Sequence, residues 1–292
     1  MPLTGTIQLP GDKSIGHRAL MFSLLAPGTH RISNLPQNAD VLATKACLEK
    51  LGVTYEETPD SDWLVKVPMA LSCPQGTVLD AQNSGTTMRL FSGLFSGLNL
   101  PVTLTGDAAL TKRPMKRVIA PLQTMDADIR GANDNTTAPI EIHPKSSGLS
   151  PIQYTLPIAS AQVKSALILA GLFTNGESTI VEPTPSRDHT ERMLNYLGIP
   201  VHSTQNTDGI NTITVQGGVQ REQLSSTLWH VPGDVSSAAF FLVAASLIPH
   251  SDLTIERVGL NPYRTGIIDA LKQIGANITV SNEQTLCGEP VG

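Results

Sequence analysis

The residues best suited to chemistry in this chain are short polar turns that feed helices, each with a cation close behind. The first is Pro10-Gly11-Asp12-Lys13-Ser14-Ile15-Gly16-His17-Arg18. A Pro-Gly break, an N-capping Asp12 and a helical run leave free backbone N–H groups beside Lys13, Ser14 and Arg18. That combination suits an anion, above all a phosphate. Ser14 and Arg18 are four apart and share a helix face. The same residues also suit an ordinary capped helix with solvated cations, so the stretch alone leaves both readings open.

Comparable groups recur along the chain. Asn83-Ser84-Gly85-Thr86-Thr87-Met88-Arg89 again leads a glycine-containing turn into a helix with hydroxyls and an arginine. Lys112-Arg113-Pro114-Met115-Lys116-Arg117 is strongly basic, and Pro114 biases Arg113 toward an extended backbone. Taken alone, this segment reads as a solvated loop before a helix. Ser160-Ala161-Gln162-Val163-Lys164-Ser165 opens an apolar helix and offers either caps or ligand donors. Ser186-Arg187-Asp188-His189-Thr190-Glu191-Arg192 gathers polar and charged residues at another helix start. Pro232-Gly233-Asp234-Val235-Ser236 restates the first turn without its lysine. Several helix dipoles converging on anionic ligands would use such starts.

Other chemistries find no support. The first turn lacks the leading glycine of a P-loop, no G-x-G-x-x-G follows a strand, and no H-E-x-x-H occurs. His17 and His189 therefore read as packing or supporting residues, and no metal or cofactor is expected. Nothing orients a base for a Ser-His-Asp set. A net charge of −5 argues against a general nucleic-acid binder. Cys47, Cys73 and Cys287 are odd in number and far apart, which fits a reducing cytosol. No apolar run is long enough to span a membrane. These features predict a cytoplasmic α/β protein.

The elements that must position these turns repeat. A helix face over Asp40–Leu51 stops at Gly52 before an extended Val53-Thr54-Tyr55. Helix, stop and strand recur over residues 118–129, 191–201 and 265–278, with stops at Asp126, Gly198 and Gly275. The four stops are separated by about 74, 72 and 77 residues. That period is too long for a solenoid and suits a unit of two helices and several strands. Asp126 is the odd member, since aspartate is poorer than glycine in a left-handed cap. Long apolar helices are expected at Thr86–Leu98, Ser160–Leu172 and Ser236–Leu247. Alternating strands are expected at 6–9, 30–33, 63–67, 102–105, 178–181, 211–215 and 252–255. A further strand is expected over 277–280, and residues 284–292 read as a terminal hairpin left without an apolar partner. An isolated hairpin is marginal, which predicts further chain beyond it.

Taken together and in order, the motifs at 10–18, 83–89, 112–115, 160–164, 186–191 and 232–234 resemble the 5-enolpyruvylshikimate-3-phosphate synthase family of enolpyruvyl transferases. A related family, UDP-N-acetylglucosamine enolpyruvyl transferase, shares the architecture but lacks the lysine-serine opening. The resemblance implies a two-domain α/β fold of repeated βαβαββ units, about four of six being visible. It also implies one complete domain over 11–230 and part of a second from 1–10 plus 231–292. The implied activity moves the enolpyruvyl group of phosphoenolpyruvate onto the 5-hydroxyl of shikimate 3-phosphate and releases phosphate. Lys13 would be catalytic and touch both substrates. Ser14, Arg18, Ser160, Gln162 and Arg187 would hold shikimate 3-phosphate, and Gly85, Arg113 and Gln162 would meet phosphoenolpyruvate. The partners expected are these small molecules, with no nucleic acid and no membrane, bound by a monomer.

Departures from the family pattern set further expectations. Gly16 stands where members usually carry Ser, at a cost of up to about 1 kcal/mol in helix propensity. Gln82 stands where they usually carry Gly and is expected to crowd the turn before Gly85. The family's acid–base Asp and Glu and its remaining arginines have no counterpart before Gly292. The chain is therefore expected to be inactive alone, and a non-catalytic fragment that binds shikimate 3-phosphate is the alternative reading.

Overall fold

The computed structural model describes residues 1–292. In chain order it runs β1 (Thr4–Gln8), α1 (Lys13–Ser23), β2 (Gly28–Ser33), α2 (Ala39–Glu49), β3 (Thr54–Glu57), β4 (Trp63–Val67) and β5 (Thr77–Asp80). There follow α3 (Gly85–Gly97), β6 (Val102–Thr105), α4 (Lys116–Thr124), β7 (Asp128–Gly131), the single turn α5 (Ala132–Asn135), β8 (Thr137–His143) and β9 (Gln153–Thr155). Next come α6 (Ala161–Gly171), β10 (Glu177–Glu182), α7 (His189–Tyr196), β11 (Val201–Gln205), β12 (Asn211–Gln216) and β13 (Leu228–His230). The last elements are α8 (Val235–Leu247), β14 (Asp252–Glu256), α9 (Gly266–Gln273), β15 (Gln284–Leu286) and β16 (Glu289–Val291).

Three four-stranded sheets share one plan. Their orders are β13-β2-β4-β3, β5-β6-β8-β7 and β9-β10-β12-β11. In each, the first pair is parallel and the next two are antiparallel. A parallel pair needs a crossover, and helices α3 and α6 supply it in the second and third sheets. The first sheet differs in origin. Its parallel strand is β13, from far down the chain, because β1 leaves to pair with β14. The two segments thus exchange first strands, and the chain passes between the sheets at Pro10–Asp12 and again at Pro232–Asp234.

The helices face inward because their apolar stripes must be buried. α1, α3 and α6 are almost entirely buried in a core that runs from Ile15 to Val231. α3 and α6 approach so closely that a Cβ on Gly93 would lie 2.0 Å from the Ala166 carbonyl oxygen. A much smaller core joins Leu9, Val235, Ala238 and Val258.

The expected helix stops are real. Gly52, Asp126, Gly198 and Gly275 all have left-handed backbones, with φ of 92°, 66°, 77° and 94°. Asp126 is held there by its neighbours: the Ser150 hydroxyl donates to its carboxylate and Lys145 Nζ to its carbonyl. Two expectations need correction. Residues 277–280 form no strand: they line a groove shared with β14 without pairing to it. The terminal hairpin, β15–β16, is not isolated. Val291 and Glu289 are buried, Val258 and Leu260 donate to Gly292 and Pro290, and Glu289 lies 2.8 Å from His189 Nδ1.

Candidate functional site

The first helix start is built as its sequence suggests. Asp12 caps α1, its carboxylate accepting from the Ile15 N–H at 3.0 Å. Arg18, one turn on, is 3% exposed. It donates to Thr190 Oγ1, Ser165 Oγ and the Ser14 carbonyl at 2.8, 2.8 and 2.9 Å. All three acceptors are neutral. Burial, followed by the charge of Arg187, brings its guanidinium down to about 10. Arg187 reaches across from the loop before α7 and donates to Ser14 Oγ at 3.2 Å. Burial and the nearby Arg264 lower its pKa as well.

A second cluster forms around α3 and α6. Ser84 caps α3 and Ser160 caps α6. Gln162, in the first turn of α6, accepts from Arg89 Nη1 at 2.7 Å and donates to Thr86 Oγ1 at 2.9 Å. Arg113 donates to Asn83, whose amide donates to Asp107 at 2.7 Å. Gly85 lies between these arginines: a Cβ there would stand 2.8 Å from Arg89 Nη1 and 3.3 Å from Arg113 Nη1. Arg89 is brought down to about 10 by burial and by Arg117 and Arg113.

No carboxylate stands within ion-pair distance of Arg18, Arg89, Arg113 or Arg187. Buried cations are normally paired, so four arginines without a carboxylate beside three helix N-termini, Arg18 and Arg89 buried and Arg113 and Arg187 half-buried, form a candidate site for anions. A cavity of about 680 Å³ opens there, lined by Ser160, Gln162, Arg187, Ser236, Tyr263 and Arg264. A groove of about 600 Å³ along α8 and β14 is more apolar and includes no lysine or arginine.

Ser14, Arg18 and Arg187 therefore gather in one cluster, and Gly85, Arg113 and Gln162 in the other, with Ser160 beside both at the head of α6. Lys13 stands apart: its ammonium is half-exposed and pairs with Asp40 at 3.0 Å. Lys164, in the same sequence motif as Gln162, does not line the cavity and is fully buried between Glu182 and Glu191 at 2.9 and 2.8 Å. Sequence reasoning missed Arg89 as a site residue, together with Tyr263 and Arg264. The signal for the last two was a further polar turn before a helix, Asn261-Pro262-Tyr263-Arg264-Thr265.

Both departures from the expected pattern have explanations in the packing. A Cβ on Gly16 would lie 2.6 and 2.7 Å from the Pro36 ring, so Gly16 accommodates Pro36. Gln82 does not crowd Gly85. Its amide turns away to Asp80 at 2.6 Å, and its backbone is left-handed at φ 51°, a conformation that glycine adopts more readily.

Repeated parallel-antiparallel α/β units, with helix N-termini and arginines that lack a carboxylate partner gathered near an open cavity, define a class: α/β proteins with a candidate anion site. Within it, the family model for EPSP synthase (3-phosphoshikimate 1-carboxyvinyltransferase) matches residues 1–291, and the chain belongs to that family. It is 46% identical to the 3-phosphoshikimate 1-carboxyvinyltransferase of Hydrogenovibrio crunogenus over 290 residues, covering 99% of this chain and 64% of that protein. The enzyme of the same name from Halorhodospira halophila is 48% identical over 290 residues, with 99% and 63% covered. Among solved structures, EPSP synthase from Acinetobacter baumannii superposes with a TM-score of 0.89 at 42% identity, covering 99% of this chain and 64% of that one. The chain thus spans less than two thirds of the length of these relatives. No helix is long and apolar enough to cross a membrane.

Proposed function

We propose that this chain carries the shikimate 3-phosphate site, and part of the phosphoenolpyruvate site, of an enolpyruvyl transferase. The observation that supports this most is the set of four arginines with no carboxylate partner, grouped at the N-termini of α1, α3 and α6. Arg18, Ser14, Arg187, Ser160 and Gln162 would hold shikimate 3-phosphate, a phosphorylated cyclic hydroxy acid. Gly85, Arg113, Arg89 and Gln162 would face phosphoenolpyruvate. Lys13 would leave Asp40 and swing between the two ligands, which its half-exposed position permits. Preorganised cations and helix dipoles are the means by which such a site stabilises negative charge.

The reaction protonates the methylene carbon of phosphoenolpyruvate and adds the 5-hydroxyl oxygen to the adjacent carbon. Phosphate then leaves the tetrahedral intermediate as a proton is lost from the new methyl group. Those proton transfers need acid–base groups. Carboxylates beside the clusters are engaged: Asp12 and Asp234 with Arg264, Asp107 with the Asn83 amide, and Glu191 with Lys164. We therefore propose that residues 1–292 bind shikimate 3-phosphate and do not turn over by themselves. In this reading residues 11–230 form one domain, and 1–10 with 231–292 belong to a second, in a cytoplasmic monomer.

Calorimetry with shikimate 3-phosphate, paired with a phosphate-release assay, tests the proposal. Saturable binding without release is expected. Turnover near that of a full-length relative would overturn the claim of inactivity, and absence of binding would overturn the site.

A further inference from the structure

We infer that Arg264 is a positioning residue: it latches the two Pro-Gly-Asp helix starts to each other and, through Asp12, holds the α1 N-terminus at the anion site. This rests on the reading of that site given above. The two turns meet where the chain passes between its sheets. Gly11 and Gly233 form an antiparallel bridge, Asp12 N–H donates to Pro232 at 2.7 Å, and Asp234 N–H donates to Pro10 at 3.0 Å. Two backbone bonds are a slender joint for the segment that aims Lys13 and Ser14.

Arg264 reinforces that joint. Its Nη1 donates to Asp12 Oδ2 at 3.2 Å, while Asp12 Oδ1 caps α1. Its Nη2 donates to Asp234 Oδ1 at 3.2 Å and to Ser236 Oγ at 2.7 Å, and the same Asp234 oxygen caps α8. One guanidinium thus ties together the N-caps of two helices from opposite sides of the crossing. Its side chain is only 13% exposed, so solvent screening is weak. The pairing also answers an electrostatic problem. Two carboxylates at the edge of an anion site would repel the ligand, and a cation between them offsets that repulsion. The turn carrying Arg264 is itself fixed, for Asn261 is buried and donates to Asp188, the neighbour of Arg187.

The test uses the full 292-residue chain, with Arg264→Met, Arg264→Lys, Asp12→Asn and the Asp12→Asn/Arg264→Met double variant. Asparagine keeps the capping oxygen and removes the charge. Two readouts are needed, hydrogen exchange at individual amides and calorimetry with shikimate 3-phosphate. Arg264→Met should speed exchange of the Asp12 and Asp234 amides by about tenfold or more while leaving Leu90, in the core of α3, unchanged. It should weaken ligand binding by about tenfold, Arg264→Lys should recover part of the loss, and the double variant should fall within about twofold of Arg264→Met. Unchanged exchange at the two crossing amides overturns the latch. Losses that multiply in the double variant overturn the positioning role, because Arg264 would then act on the ligand independently of Asp12. Should Arg264→Met fail to fold, Asp234→Asn puts the same question to the Asp234 amide. If the unmodified chain binds no ligand, the site reading fails, and the exchange measurement still decides the latch.

Discussion

Two helix starts in this molecule have nearly the same sequence and different chemistry. Pro10-Gly11-Asp12 opens α1 and Pro232-Gly233-Asp234 opens α8, and each aspartate caps its helix and meets Arg264. Beyond the turn they part. Lys13 in α1 corresponds to Val235 in α8, Gly16 to Ala238, His17 to Ala239, and the buried Arg18 to Phe240, which is 79% exposed. The turn fixes where the backbone goes; in the proposed function, the next turn of helix decides whether an anion is held. Having a helix N-terminus is therefore not enough. The start proposed to hold the ligand is the one that buries an arginine among neutral acceptors.

The contrast is broken most severely at Arg18. Arg18→Met should weaken shikimate 3-phosphate binding by roughly a hundredfold, or about 3 kcal/mol, as expected for losing charge-assisted bonds in a buried site. Phe240→Ser, at the matching position of α8, should leave that affinity unchanged in the same titration.

Gly16 gives the next largest effect. Gly16→Ser drives a side chain into Pro36 and should cost about 1–3 kcal/mol in urea unfolding, with Gly16→Ser/Pro36→Ala recovering most of it. If Gly16→Ser alone is neutral, Pro36 moves freely and the packing account of this position is wrong.

His17 sharpens the comparison through pH. Burial lowers its pKa to about 3; Asp40 opposes the shift, and Arg18 and Lys13 add to it. The folded state keeps the ring neutral, while the unfolded chain takes up a proton below its ordinary value of 6.5. This contribution to stability is therefore complete above pH 6.5 and is lost as pH falls toward 3. Between pH 7 and 5 the loss should be about 2 kcal/mol. Unfolding curves of His17→Leu should lack that component, and an unchanged pH slope would contradict the assignment.

Lys13 should show the smallest effect on stability. Its pair with Asp40 is exposed, so Lys13→Met should change unfolding by no more than about 1 kcal/mol while still reducing ligand affinity.

What the sequence made legible was local. Capped starts and left-handed stops are written in adjacent residues, so α1, α3, α6 and α8 and the stops at Gly52, Asp126, Gly198 and Gly275 were all anticipated. Partners far apart in the chain were not. β13 is three residues long and pairs with β2 nearly two hundred residues away, and no local pattern announces that. β8 alternates cleanly but contains Pro139, which masks it as a strand. The clusters behaved likewise: Ser14, Arg18 and Arg187 were recognisable as residue types. That Ser165 and Thr190 would supply Arg18 with neutral acceptors depends on how α1, α6 and α7 pack.

The most direct test of the central claim, that the unpaired arginines hold a phosphate ester, compares shikimate 3-phosphate with unphosphorylated shikimate by calorimetry at several salt concentrations. The account predicts saturable binding of the phosphorylated compound that weakens with salt, and binding of shikimate at least about a hundredfold weaker. Equal affinity for the two compounds, or none for either, would contradict it.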